Sequence, residues 1–69
     1  MRNFIKVERA KLDITQEELA IRVGVSRQTI NSIEKRRYVP STLLALKICR
    51  VFNKDVGEVF ELEDSDLAP

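Results

Sequence analysis

The sequence predicts an all-α fold of five helices, and three observations carry that prediction. No long stretch alternates β-branched with polar residues, only two Gly and two Pro interrupt the chain, and helix-capping signals recur at Thr15, Ser26, Ser41 and Asp55. With 69 residues there is room for one small core and no second domain.

Each element has its own signature. The first helix runs from about Asn3 to Lys11, with Phe4, Ile5 and Val7 as its apolar content. The second opens at "ITQEELA": Thr15 and Glu18 form a capping box, and Ile14 and Leu19 take the staple positions around it. It stops near Val23, because Gly24 reaches the left-handed conformation without a Cβ clash. Ser26 caps the third helix, whose apolar stripe is only Ile30 and Ile33 and which ends near Lys35. Pro40-Ser41 starts the fourth, where Leu44, Ala45, Ile48, Cys49 and Phe52 recur at helical spacing. Asp55 with Glu58 marks a short fifth helix, Val56 to Phe60, and Glu61 to Glu63 is able to form a short strand. Residues 1–63 then form the domain and 64–69 an acidic flexible tail.

Composition removes several functions. One cysteine, Cys49, and no histidine exclude an internal disulfide and a Cys/His metal cluster, so no cofactor is expected. Cys49 lies among Ala45, Ile48 and Phe52, which reads as an inert core thiol. With no nucleophile–base pairing, carboxylate dyad or glycine-rich phosphate loop, an enzyme is not expected. The longest apolar stretch, Leu43 to Cys49, is broken by Lys47, far short of the ~20 residues a bilayer span needs, so a cytoplasmic protein without membrane attachment is expected. The net charge of +1 hides an asymmetry: all 12 Lys and Arg lie in residues 1–54, whereas residues 55–69 carry 6 acids and no bases. A basic body of this kind offers a positive face to a polyanion.

Two helices joined through Gly24, Val25 and Ser26 must turn sharply, which fits a helix-turn-helix. Leu19, Ala20, Val23, Ile30 and Ile33 are consumed in fixing the two helices together. Arg27, Gln28, Thr29, Asn31 and Ser32 are left on the outside of the third helix. Arg pairs with guanine and Gln or Asn with adenine in a major groove, each good bidentate pair giving about 1–3 kcal/mol of discrimination. Lys35, Arg36, Arg37 and Tyr38 follow at the height of the phosphates. A plain amphipathic surface helix would also be polar outside, but the turn length, Ala20 with Gly24, and the basic cluster favour a reader.

The stretch "LDITQEELAIRVGVSRQTINSIEKRRYVPSTLLALKICRVFNKDVGEVF" resembles the Cro/CI (XRE-like) helix-turn-helix transcriptional regulators, especially their smallest single-domain dimeric members. "TQEELA", "GVSRQTIN" and "PSTLLALKI" make the likeness more specific than a bare motif. It implies a lambda-repressor-like DNA-binding domain with the helix from Ser26 to Lys35 in the major groove. Arg27, Gln28, Asn31 and Ser32 are then the expected base readers, and Gln16, Thr29, Lys35, Arg36, Arg37 and Tyr38 the expected phosphate contacts. The resemblance also implies an ion pair between Arg9 and Glu34 that serves the fold. Relatives place Gly or Asn just after the recognition helix, where this chain has Arg36; a left-handed Arg there costs about 1–2 kcal/mol.

A reader this small covers few base pairs, whereas a two-fold dimer sets two recognition helices about 34 Å apart on a palindrome. The expected function is therefore that of a sequence-specific regulator of double-stranded DNA, a repressor acting as a homodimer through Leu43, Val59, Phe60 and Leu62. With no effector domain, any signal is expected to act on this domain or through a protein partner. The second reading is a protein-interaction module on the same fold, such as an antitoxin-like or bridging subunit.

Overall fold

The computed structural model describes residues 1–69. In chain order the elements are strand β1 (Arg2–Asn3), helices α1 (Ile5–Leu12), α2 (Gln16–Val23), α3 (Arg27–Glu34), α4 (Thr42–Phe52) and α5 (Val56–Val59), strand β2 (Phe60–Glu61) and a 3-10 turn over Asp64–Leu67. The five helices are the five expected. No helix is long and apolar enough to cross a membrane.

The ends of the chain differ from expectation. The first helix begins at Ile5 because Asn3 is drawn into a two-stranded antiparallel sheet, with Arg2 opposite Glu61 and Asn3 opposite Phe60. Phe4 N then donates to the Val59 carbonyl at 2.8 Å, and Asn3 Oδ1 accepts from Ile5 N at 3.3 Å. The strand placed at Glu61 to Glu63 therefore lies at Phe60–Glu61. Within the expected tail, Asp64–Leu67 forms a turn in which Asp66 Oδ2 accepts from Glu63 N at 2.7 Å, and Asp66 also reaches the amino terminus.

Capping chemistry fixes the helix starts. Thr15 Oγ1 accepts from Glu18 N at 3.0 Å while Glu18 Oε1 accepts from Thr15 N at 3.3 Å. Ser26 and Ser41 cap α3 and α4 in the same sense, accepting from Thr29 N at 3.1 Å and Leu44 N at 3.2 Å. Each such cap is worth about 1 kcal/mol.

Helices α1, α2 and α4 end on a residue in the left-handed region, Asp13 (φ 54°), Gly24 (φ 77°) and Asn53 (φ 54°), and after α3 the chain enters it at Arg36 (φ 61°), one residue past the cap Lys35. At Arg36 the pattern is complete, with Arg36 N on the Ile33 carbonyl and Arg37 N on the Ser32 carbonyl, both at 2.9 Å. These bonds satisfy carbonyls that a helix end leaves open. Gly, Asn and Asp enter this conformation at small cost; arginine does not.

The helices close around a core led by Ile5, Leu19, Ile30, Ile33, Ile48 and Val59, all fully buried; each such side chain contributes about 1.5–3 kcal/mol of transfer free energy. Helix α2 packs on both α3 and α4, which rigidly sets the angle at which α3 leaves the body. Of the apolar residues expected to anchor α1, only Ile5 is buried, whereas Phe4 and Val7 are exposed. Glu8 is buried instead and pairs with Lys11 at 3.0 Å. Val59 and Phe60 were expected at a subunit interface, but both face this core, at 0% and 7% exposure. With α5 only one turn long, Val59 and Phe60 must cover the end of the core themselves. Leu43 and Leu62 remain exposed.

Candidate nucleic-acid interface

The exposed side of α3 brings polar side chains together with cations that form no ion pair. Because Ile30 and Ile33 are spent on the core, Arg27, Gln28, Asn31 and Lys35 project together and line one shallow concavity. Ser26, Gln28, Thr29, Ser32 and Tyr38 line a second beside it. Arg27, Lys35 and Arg37 are exposed and form no ion pair, so their charge is directed to solvent. The only acid on α3, Glu34, is neutralised by Arg9.

That pair is two-pronged. Arg9 Nε donates to Glu34 Oε2 at 2.7 Å and Arg9 Nη2 to Glu34 Oε1 at 3.1 Å, while Arg9 Nη1 donates to the Ile14 carbonyl at 3.0 Å. Side-chain exposures of 15% for Arg9 and 8% for Glu34 place it where removing one partner strands the other charge. It ties α1 to the end of α3, and Asn3 reinforces the junction by donating from Nδ2 to the Ile33 carbonyl at 2.8 Å.

Gln16, the first residue of α2, lies across this junction. Its Nε2 donates to Asn31 Oδ1 at 3.2 Å and to Glu34 Oε1 at 3.3 Å, so both of its amide protons are committed inside the protein. An anion arriving here meets the backbone N–H groups of Gln16 and Glu17, which have no acceptor within the chain, at the positive end of the helix dipole. Thr29, expected on phosphate, has its hydroxyl hydrogen-bonded to Ser26 Oγ at 2.9 Å. Sequence reasoning placed Gln16 and Asn31 in the site but missed their contact, since it spans two helices.

Arg36 stands apart from the other cations. Its Nη1 lies 3.4 Å from Glu63 Oε1, and Glu63 in turn sits 3.2 Å from the amino terminus, which Asp66 approaches to 2.9 Å. The hydrogen bond from the amine to Asp66 raises the amine's pKa above the ordinary 8.0. The Glu63 backbone N–H, followed by that amine, holds the Asp66 carboxyl below its ordinary 3.8. Arg36 is thus turned toward an acidic cluster rather than offered freely to phosphate. Away from this surface, burial first and Asp55 second push the Cys49 thiol up, which keeps it protonated and unreactive.

A fold with this sharp turn, a capped and polar second helix and unpaired basic groups around it defines a helix-turn-helix module. A family model described as "Helix-turn-helix" matches residues 5–59, and the chain belongs to that family. It is 52% identical over 67 residues, 97% of this chain and 94% of the relative, to an uncharacterized HTH-type transcriptional regulator of Archaeoglobus fulgidus. It is 50% identical over 66 residues, 96% of this chain and all of the relative, to the uncharacterized HTH-type transcriptional regulator YgzD of Bacillus subtilis. A counterpart from Methanocaldococcus jannaschii is 47% identical over 66 residues, again 96% of this chain and the whole relative.

Proposed function

We propose that the protein is a sequence-specific DNA-binding transcriptional regulator that represses from a palindromic operator as a homodimer. The observation that carries this reading is the outer surface of α3, where Arg27, Gln28, Asn31 and Lys35 line one concavity with no unpaired acid among them. That it acts in transcriptional regulation rests on the family and on the names of the relatives.

The roles divide by chemistry. Arg27, Gln28, Asn31 and Ser32 meet base edges, and Lys35, Arg37 and Tyr38 meet phosphate, with the first-turn N–H groups of α2 holding a further phosphate. Thr29 and Arg36 contribute less, because each is engaged within the protein. Eight residues of α3 span about 12 Å, enough for one half-site, so a second copy supplies the other half.

Anisotropy titrations of labelled duplexes, one carrying a selected site and one scrambled, test the reading at several salt concentrations. Arg27→Ala and Gln28→Ala are expected to reduce discrimination, whereas Arg37→Ala weakens both duplexes equally and lowers the log–log salt slope by about 1. Equal binding of selected and scrambled duplexes by the wild type contradicts it. Sedimentation at micromolar concentration, with Leu43→Asp and Leu62→Asp as the two exposed apolar probes, tests the dimer. A wild-type monomer both free and on DNA contradicts that part.

A further inference from the structure

The contact between Gln16 and the recognition helix determines which atoms Asn31 is able to show a base. A carboxylate only accepts hydrogen bonds, so Gln16 can approach Glu34 Oε1 at 3.3 Å only with its Nε2. The second proton on that nitrogen then requires an acceptor. Asn31 supplies it by turning Oδ1 toward Gln16 at 3.2 Å. The Asn31 Nδ2, on the other branch of the same planar amide, is left pointing away from α2. It has no hydrogen-bond partner within the chain and is not buried, and Asn31 lines one concavity with Arg27, Gln28 and Lys35. The orientation is anchored at its far end by the two-pronged Arg9–Glu34 pair, which holds the carboxylate in one position.

We propose that Glu34, acting through Gln16, is a positioning residue for specificity: it fixes the Asn31 amide with its nitrogen outward, so that Asn31 reads guanine rather than adenine. This rests on the DNA-reading role proposed above. Bidentate recognition of adenine needs one donor and one acceptor from the same amide, facing N7 and N6 together. With the oxygen held against α2, the face turned to the base carries donors only. Guanine answers with two acceptors, N7 and O6, whereas the N6 amino group of adenine and the N4 amino group of cytosine oppose a donor. The Arg9–Glu34 pair thereby serves readout as well as the fold.

The test is selection from a randomised duplex pool followed by measured binding to all four bases at each position. It is run on the wild type, Asn31→Ala and Gln16→Met. Asn31→Ala identifies the position that Asn31 reads as the one where preference collapses. At that position the wild type is expected to prefer guanine. Gln16→Met keeps the Arg9–Glu34 pair but removes the bridge, freeing the amide to turn; the guanine-to-adenine preference there is expected to fall about tenfold, with other positions unchanged. The readout is this ratio rather than overall affinity, because Gln16 also borders the phosphate site. Thermal unfolding of Gln16→Met within a few degrees of wild type confirms that the fold is retained. A wild-type preference for adenine at the Asn31 position, or an unaltered ratio in folded Gln16→Met, overturns the proposal. A wild type that selects no sequence removes the DNA reading itself and this inference with it.

Discussion

Replacing Arg36 with asparagine should stabilise the protein, although it removes an ion pair. Arg36 is held at φ 61°, where a Cβ-bearing residue pays about 1–2 kcal/mol. Asparagine enters this region at much smaller cost, its short polar side chain bonding locally. The loss to set against this is the contact with Glu63, which is 3.4 Å long with side-chain exposures of 53% and 33%. Exposed pairs of that kind contribute about 0–1 kcal/mol and fall at the low end when the geometry is long. The net expected gain is about 1 kcal/mol, or a rise in Tm of about 4–8 °C for a domain of this size. Arg36→Ala is the control, since it loses the same ion pair and keeps the Cβ; it should sit at or slightly below wild type. Arg36→Gly should fall between the two, because glycine relieves the strain but adds about 0.4–1 kcal/mol of unfolded-state entropy. Thermal unfolding followed by circular dichroism at a single fixed protein concentration measures all four. If Asn is no more stable than Ala at this position, the strain is not where the backbone places it.

Three further outcomes follow from the same geometry. Glu34→Ala leaves Arg9 without its carboxylate at a site only 15% exposed, so urea denaturation should show a loss of about 3–5 kcal/mol, and a loss below about 1 kcal/mol would contradict the buried-pair description. Cys49, 4% exposed and with its thiol pKa raised, should react with a thiol reagent no faster than the protein opens, and immediate stoichiometric labelling of folded protein would contradict it. The Asp66–amine contact should be lost in two ranges. A lowered carboxyl pKa means that its contribution disappears as pH falls through a value below 3.8, and a raised amine pKa means that it disappears as pH rises through a value above 8.0. Amide shifts of Ser65 and Asp66 should show both transitions, and a flat alkaline limb would contradict the pairing.

Local chemistry was legible in the sequence and distant pairing was not. Thr15 with Glu18, Ser26 with Thr29, and Ser41 with Leu44 are three residues apart, so the caps could be placed from spacing alone. The outer surface of α3 was legible for a related reason: once Ile30 and Ile33 are assigned inward, helical geometry leaves Arg27, Gln28 and Asn31 outside. The left-handed turn at Arg36 was visible only as an awkward residue at a position where Gly or Asn is expected. The β1–β2 pairing joins two residues to two others across the whole chain, which gives no periodicity to detect. Val59 and Phe60 were misplaced because α5 is a single turn, too short for an inward stripe to be distinguished from an exposed one. The bridge from Gln16 to Asn31 and Glu34 depends on the angle between α2 and α3, and packing sets that angle, not propensity.

The central claim is that the outer surface of α3, with the start of α2 beside it, meets duplex DNA. Amide and side-chain NMR shifts of the protein titrated with a selected duplex at low ionic strength test this most directly. The largest changes are expected at Gln16, Glu17, Arg27, Gln28, Asn31, Lys35 and Arg37, with Ile48 and Cys49 in the core nearly still. Changes confined to another surface, or none at all at saturating duplex, would contradict the account.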